Sequence, residues 1–280
     1  SLVQLTRARL FALLHTGKER GKLISPNVKK ALRTVQVFFP RAIDLRFELQ
    51  RRFYRMTKRI YKSELEGLRL LSLEGCTIVD VGGYRGQAID AFQIAIPNCS
   101  IVSFEANRIL ADELERRYRM DPTVRIEACA LTDVTGQLTL YVPFYRRYLF
   151  DGLSSIWKSE ARGWLNSERL YFFNQKHVTV EESVVPAEQL DSFGLRPAII
   201  KMSVQRAEIG VLRGAAETIR ESSPIILTAY PWPELTEELR LLGYSSFGFA
   251  DGFFTENLSV GYFTWFLNEK QTEMYKGFIR

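Results

Sequence analysis

The stretch Ile78-Val79-Asp80-Val81-Gly82-Gly83-Tyr84-Arg85-Gly86 runs from an apolar segment straight into three glycines. Glycine is needed where a backbone must turn sharply and let a ligand approach with no Cβ in the way. Asp80, near the end of the apolar run, can order such a turn through backbone amides. Glu105 ends a second apolar run, 23 residues after Gly82. In nucleotide-binding α/β folds an acid at about this distance, roughly 20 residues on, grips ribose hydroxyls. The helix expected after the turn presents its amide-rich N-terminus to the same ligand. Neither the dinucleotide pattern Gly-x-Gly-x-x-Gly nor a Walker-type phosphate loop is present. Asp-x-Gly-x-x-x-Gly followed by a strand-end Glu suits S-adenosylmethionine instead. Asp80, Gly82, Gly83, Gly86 and Glu105 are therefore the candidate cofactor residues.

Those groups converge only if repeated strand–helix units hold them. Short apolar runs alternate with helical patterns from Thr77 onward, the rhythm of a parallel sheet with crossover helices. Strands are expected at Thr77–Val81, Ser100–Glu105, Val124–Leu131, Gln137–Pro143, Val178–Pro186, Ala198–Val204 and Pro224–Ala229. Helices are expected from the glycine turn through Ile96 and over Ile109–Met120, Ala207–Glu221 and Glu234–Leu242. The tail, Ser245–Leu267, alternates enough to be two closing strands. The first 70 residues read as helices punctuated by Pro26 and Pro40, with a turn at Gly17 and Gly21. The expected fold is α/β, a mostly parallel seven-stranded sheet with helices on both faces, after an N-terminal helical segment. The expected division is a basic helical segment at 1–72 and a Rossmann-like domain at 73–280. An irregular, aromatic-rich insert at 144–177 is a candidate substrate lid.

Four separated motifs in this order resemble the FkbM-type methyltransferases, over about residues 77–230. They are Phe104-Glu105-Ala106-Asn107, Ala130-Leu131-Thr132-Asp133 with Gly136, Ile200-Lys201-Met202-Ser203-Val204-Gln205-Arg206-Ala207-Glu208, and Val211-Leu212-Arg213-Gly214-Ala215. The resemblance implies a class I methyltransferase fold, S-adenosylmethionine as methyl donor, and O-methylation of hydroxyls on sugars or polyketide-like molecules. It implies that Asp80, Gly82 and Gly86 shape the cofactor turn and that Glu105 holds the ribose. Asn107 and Ala130 would lie near the adenosine. Three positions depart from the family pattern. Tyr84 stands where Asn is usual, Ser203 where Asp is usual, and Arg206 where Gly is usual.

Serine cannot act as a carboxylate base, and a general base typically adds about 10²–10⁴-fold to a rate. The candidate catalytic residues are Lys201, which matches the family lysine, Ser203, and His177, which precedes a strand beside the insert. His177 also reads as an ordinary surface or core histidine, and Lys201 as a solvated strand end. Glu208 either serves the site or complements its helix dipole. Ser154, Ser155 and Trp157, with the tyrosines of the insert, either stack on a sugar or pack on the core. Tyr230-Pro231-Trp232-Pro233 resembles an amino-methyltransferase box only superficially and reads as a rigid turn opening a helix.

Charge is unevenly distributed. The first 70 residues hold 17 Lys and Arg against 5 Asp and Glu, a net +12; the rest hold 21 against 27, a net −6. Within Arg41–Leu71 the apolar residues Leu45, Leu49, Phe53, Met56 and Ile60 form one helical stripe among arginines and lysines. Three readings stand: the stripe packs on the domain, residues 41–62 lie on an anionic membrane, or the arm binds nucleic acid. The last is the least favoured. Cys76, Cys99 and Cys129 are odd in number and far apart, against a disulfide framework or a zinc site. No metal is expected. No apolar run nears the ~20 residues that span a bilayer, and arginines interrupt Ser1–Leu14 as they would not a signal peptide. A cytoplasmic location follows, peripheral to the membrane on the second reading. The expected function is S-adenosylmethionine-dependent O-methylation of a sugar, glycan or related small molecule. The alternatives are a non-catalytic binding or scaffold subunit and a nucleic-acid methyltransferase.

Overall fold

The computed structural model describes residues 25–256 and 261–280. The turn expected at Gly17 and Gly21 and the stretch Ser1–Leu14 lie outside the described residues. Helix α1 is Pro26–Phe38, opened by Ser25, whose Oγ accepts from Val28 N at 3.3 Å. Helix α2 is Pro40–Thr57 and stops at Lys58, a left-handed residue with φ 51°. A 3₁₀ segment, Ser63–Leu70, then sinks Leu65 and Leu68 into the core.

Strand β1 (Thr77–Val81) leads to α3 (Gln87–Ala95), β2 (Ser100–Phe104), α4 (Arg108–Tyr118) and β3 (Val124–Glu127). Short β4 (Ala130–Leu131) precedes the long β5 (Gly136–Tyr145), β6 (Tyr148–Leu149), α5 (Lys158–Gly163) and β7 (Val178–Glu188). The chain returns through β8 (Pro197–Met202), α6 (Glu208–Arg213), α7 (Ala216–Ser222), β9 (Ile225–Ala229) and α8 (Pro233–Leu241). It closes with β10 (Tyr244–Ala250), β11 (Phe253–Thr255), β12 (Phe263–Asn268) and α9 (Glu269–Met274).

The main sheet has the order β11-β10-β12-β9-β8-β1-β2-β3. Five of the expected strands lie in it together with the two closing strands of the tail, the three-residue β11 adds an eighth at one edge, and the strands expected at Gln137–Pro143 and Val178–Pro186 belong instead to a second sheet. β3, β2, β1, β8 and β9 pair in parallel, while β12 is antiparallel to both its neighbours. From β1 the chain proceeds outward through β2 and β3; from β8 it proceeds the other way. Ligand crevices open where strand order reverses, beyond the carboxyl ends of the strands. That point here lies between β1 and β8.

Residues alternate across the sheet as strand geometry requires. Ile78, Ile101, Ile199 and Leu227 face one core with Phe92, Leu65 and Trp265. Val79, Val102, Ile200 and Ile226 face the other with Val211, Leu235 and Leu239. Burial of each such side chain contributes about 1.5–3 kcal/mol, so both faces are sealed and the strand ends are held rigidly.

Several elements differ from expectation. Val124–Leu131 splits, because β4 leaves the main sheet to pair with β7. β5 and β7 form a ten-pair antiparallel ribbon in a second sheet of order β4-β7-β5-β6. The helix expected over Ala207–Glu221 breaks between α6 and α7, where a Cβ on Gly214 would lie 1.9 Å from Thr132 O. The insert packs on itself: Tyr145, Phe150, Leu165 and Leu170 form a cluster with Val37 of α1.

The largest correction concerns α2. Most of its apolar stripe does not pack on the domain: Leu45 is 60% exposed, Leu49 57% and Met56 85%, whereas Phe53 is half-buried and Ile60, beyond the helix end, joins the core. Charged residues dock it instead. Arg51 Nε and Arg55 Nη1 each donate to the Asp90 carboxylate of α3 at 2.6 Å, and Tyr118 Oη donates to it at 3.0 Å. Asp90 is buried, so its removal strands two guanidiniums that are themselves only partly exposed. Breaking a fully buried pair costs about 3–5 kcal/mol, and partial exposure reduces this to roughly 1–3. Asp90→Ala is expected to lower the melting temperature and to raise amide exchange in α2 first. Unchanged exchange in α2 would show that other contacts hold it.

Candidate functional site

β1 ends in a turn whose shape the neighbouring backbone dictates. Gly82 has φ 81°, and a Cβ there would lie 2.4 Å from Ser203 O at the end of β8. The two strand ends therefore close on each other only at glycine. Gly82 N and Gly83 N both donate to Phe104 O, at 2.9 and 3.1 Å, which ties the turn to β2 as well. Gly86 begins α3 as its left-handed N-cap.

Glu105 completes this corner. Its Oε2 accepts from Tyr84 N at 2.7 Å and its Oε1 from Asn107 N at 2.8 Å. The turn after β1 and the acid after β2 thus share one site. Burial pushes the Glu105 carboxyl up to about 7, against the two amides and the Lys201 charge, which favour the ionised form. A carboxylate with unused lone pairs at such a place suits a ligand's vicinal hydroxyls.

Beneath the turn, Lys201 Nζ pairs with Asp80 Oδ1 at 2.8 Å and donates to Gly82 O at 2.7 Å. Ser103 Oγ donates to Asp80 Oδ2 at 2.9 Å. Lys201 and Asp80 are both buried. This lysine braces the glycine turn rather than ending in solvent.

The turn opens on a cleft of about 410 Å³. Gly82, Gly83, Glu105, Ala130, Lys201 and Ser203 line it, as do Gln87 and Ala88 in the first turn of α3. Ala106, Leu110, Ala130, Leu138 and Leu140 make an apolar wall beside Glu105, fit for a flat heterocycle. Three sequence candidates sit behind the surface. Asp80 and Gly86 support the turn. Asn107 is buried as the N-cap of α4, accepting from Ile109 N at 3.1 Å and donating to Ser154 Oγ at 3.3 Å, and Ala106 is the residue exposed to the cleft. His177 is not in the cleft. It stands edge-on to the Tyr145 ring, 6.0 Å away, in the second sheet.

Only a short piece of the insert reaches the site: Gly152, Ser154, Ser155 and Ile156 line one wall. Ser155 bridges to Tyr141, and Gln205 Nε2 donates to Gly152 O at 3.2 Å. Trp157 is more than half exposed. Glu208 turns back from α6, and its Oε1 accepts from Val204 N at 3.0 Å. Burial raises its carboxyl above the usual range. It braces the loop after Ser203 and does not line the cleft.

Sequence reading missed Tyr61, Lys62 and Tyr262, which line the end of the cleft away from the apolar wall. Tyr61 and Lys62 fall beyond the end of α2, in extended chain that approaches the sheet. Glu64 holds them there, because its carboxylate accepts from Tyr262 N and its carbonyl from Trp265 Nε1 at 3.1 Å. No motif marks these positions. Among the described residues no group of His, Cys, Asp and Glu is arranged to hold a metal ion.

A family model described as the methyltransferase FkbM domain matches residues 80–258. Comparison with curated proteins gave no match. Among solved structures, methyltransferase FkbM from Methylobacillus flagellatus KT is similar at 16% identity and TM-score 0.46. That likeness covers 70% of this chain and 45% of the other, so this chain spans less than half of that relative. Precorrin-6y C5,15-methyltransferase from Geobacter metallireducens GS-15 is similar at 12% identity and TM-score 0.38, over 74% of this chain and 86% of that one. A TehB-like SAM-dependent methyltransferase from Corynebacterium glutamicum is similar at 12% identity and TM-score 0.37, over 81% and 99%.

The carboxyl of Glu105 is expected to titrate near 7 in the ligand-free protein. Its folded value is raised, so its contribution to stability is complete below the ordinary carboxylate range and is lost as pH rises through about 7. Carbon-13 NMR of the glutamate carboxyls, assigned with Glu105→Ala, reads the midpoint directly. A midpoint in the ordinary carboxylate range would mean that water reaches the group freely.

Proposed function

This chain belongs to the family of methyltransferase FkbM domains, and we propose from that premise that it methylates a hydroxyl of a sugar, glycan or related small molecule with S-adenosylmethionine. The observation that carries the reading is the Tyr84 N to Glu105 hydrogen bond at the mouth of the cleft. It sets a strand-end acid beside a turn with no side chain in the way, which supports a ribose-binding role for Glu105.

S-adenosylmethionine, when bound, supplies a methyl group made electrophilic by its sulfonium. Glu105 would hold the ribose hydroxyls, the wall of Ala106, Leu110, Ala130 and Leu138 the adenine, and the Gly82–Gly83 turn with the start of α3 the amino-acid end. Ser203 and Val204, at the end of β8, adjoin that turn and border the acceptor. Glu105 is the one acid among the described residues that lines the cleft, and it serves the cofactor end. Burial holds the Tyr61 hydroxyl well above its usual range, so it is no base at neutral pH. The chain's residues therefore act mainly by alignment, which supplies ~7–11 kcal/mol in favourable cases. The acceptor proton passes to water beside Ser203.

S-adenosylhomocysteine is expected to bind by calorimetry, and Glu105→Ala to weaken it by about 10–100-fold, the worth of hydrogen bonds to a charged group. Labelled S-adenosylmethionine should then mark a glycan pool slowly. Ser203→Asp, which supplies the family's carboxylate, should raise turnover by about 10-fold or more and add an acid limb to the pH profile. Cofactor binding with no transfer in either form would favour a non-catalytic scaffold.

The location we propose is cytoplasmic and peripheral, on an anionic bilayer. Among the described residues no helix is long and apolar enough to cross a membrane. The outward stripe of α2 stands among exposed Arg46, Arg52, Lys58 and Arg59, a pairing of apolar and cationic groups that matches a headgroup surface. The protein is expected to sediment with phosphatidylglycerol vesicles but not with phosphatidylcholine vesicles, and Leu45→Glu with Leu49→Glu to release it. Equal retention on both lipids would exclude this surface.

A further inference from the structure

Two polar side chains on the cleft wall, Tyr61 and Gln87, make no side-chain hydrogen bond among the described residues. Both also border a smaller cavity of about 30 Å³ between α2 and α3. Sharing both spaces, they form the partition between them, where the chain beyond α2 meets the first turn of α3. The smaller cavity has room for about one or two waters. The cleft, at about 410 Å³, has room for a ligand. A half-buried polar group with no partner in its own chain is costly unless something else bonds to it.

Tyr61 is held where it stands. Ile60 before it is buried, and its own ring packs against the core that contains Leu65 and Phe92. On one side of it Leu65 N donates to Lys62 O at 3.1 Å; on the other Arg69 Nη2 donates to Lys58 O at 2.6 Å. Burial foremost, then the Tyr262 phenol and the charges of Asp80 and Glu64, keep the proton on its hydroxyl. At neutral pH it is therefore a donor. Gln87 opens α3 and offers an amide donor and an acceptor together. The first-turn amides of that helix carry partial positive charge. A phenol donor, a side-chain amide and a helix start side by side suit a carboxylate with an ammonium next to it. An α-amino acid has that pair of groups.

We infer that Tyr61 and Gln87 bind the amino-acid end of the S-adenosyl ligand, Tyr61 donating to its carboxylate and Gln87 bridging carboxylate and ammonium. This rests on the methyltransferase reading of the cleft. It extends the donor site to a residue that precedes the family match at 80–258. The chain beyond α2 is then part of the cofactor site and not an appendage to it. The test is calorimetry of the full chain with two ligands. One is S-adenosylhomocysteine; the other is methylthioadenosine, which has the same nucleoside and no amino-acid end. Tyr61→Phe, which keeps the ring, and Gln87→Ala are each expected to weaken S-adenosylhomocysteine by about 10-fold or more, as loss of a hydrogen bond to a charged group does. Both are expected to leave methylthioadenosine within about twofold of the parent. Glu105→Ala, which acts on the shared nucleoside, is expected to weaken both ligands alike. A parent-like melting temperature of Tyr61→Phe separates lost binding from lost folding. Variants that bind S-adenosylhomocysteine as the parent does, or that lose both ligands equally, would overturn the inference. If the parent itself binds no S-adenosylhomocysteine, the methyltransferase reading fails and takes this inference with it.

Discussion

A buried carboxylate must find donors, and here it finds them in the turn of the neighbouring strand. Glu105 sits at the end of β2 with almost no access to water, where its charged form is costly. Tyr84 N and Asn107 N answer it from either side. The same bonds fix the turn after β1 relative to β2, and the Lys201–Asp80 pair fixes it relative to β8. The corner where three strands end is therefore rigid in the absence of ligand. Its carboxylate is only partly compensated, which is what keeps its proton affinity high and leaves capacity for a ligand's hydroxyls. A fully satisfied carboxylate would be more stable and would have nothing left to bind with.

How much of this was legible depends on how local each constraint is. The Gly82 turn and Glu105 could be read because their roles follow from residue type and a fixed spacing across one strand–helix–strand unit. The alternating strands could be read because both faces of the sheet are buried and every strand had to be apolar. Lys201 read either as a catalytic candidate or as a solvated strand end, and its bracing role was not legible, since only the pairing of β8 with β1 brings it under Gly82. Asn107 was placed one position wrong in effect: an N-cap uses its side chain on the helix, and the neighbour Ala106 meets the cleft. Tyr61, Lys62 and Tyr262 were invisible because about 200 residues separate the two segments, and a buried glutamate in neither's motif joins them. The stripe of α2 could be read as a stripe, but whether it packed on the domain or faced outward stayed open. Periodicity reports which residues share a face, not which way the face turns.

Two of the three departures from the family pattern share one physical feature. Tyr84 and Arg206 both lie in the left-handed region, at φ 51° and 72°. The family residues at these positions, Asn and Gly, are the two that accept this conformation most readily. Large residues stand here in that conformation where the family pattern has tolerant ones. Tyr84 now covers Gly152 of the insert, where an added Cβ would lie 3.3 Å from its ring. It thereby helps close the cleft. The fold bears this because the corner around it is braced at Glu105, Lys201 and Glu208, so local strain cannot be released by moving a strand.

The two halves of the cleft are thus built on opposite terms. The half around Glu105 consists of backbone amides, glycines and one carboxylate, all cross-tied, and it leaves little room for change. The other half consists of exposed or half-exposed side chains at residues 61–62, 203–205 and 262. Side chains at such positions alter without disturbing the core, because the sheet bonds made there, such as Ser203 N to Val81 O, use the backbone alone. Replacement of an acidic and a glycine position by Ser203 and Arg206 shifts the local charge by two units toward positive, one from each change. In a cleft walled by low-dielectric core, that shift acts on whatever enters more strongly than it would in water. A change of partner with the donor site kept requires this separation of a rigid floor from an adjustable rim.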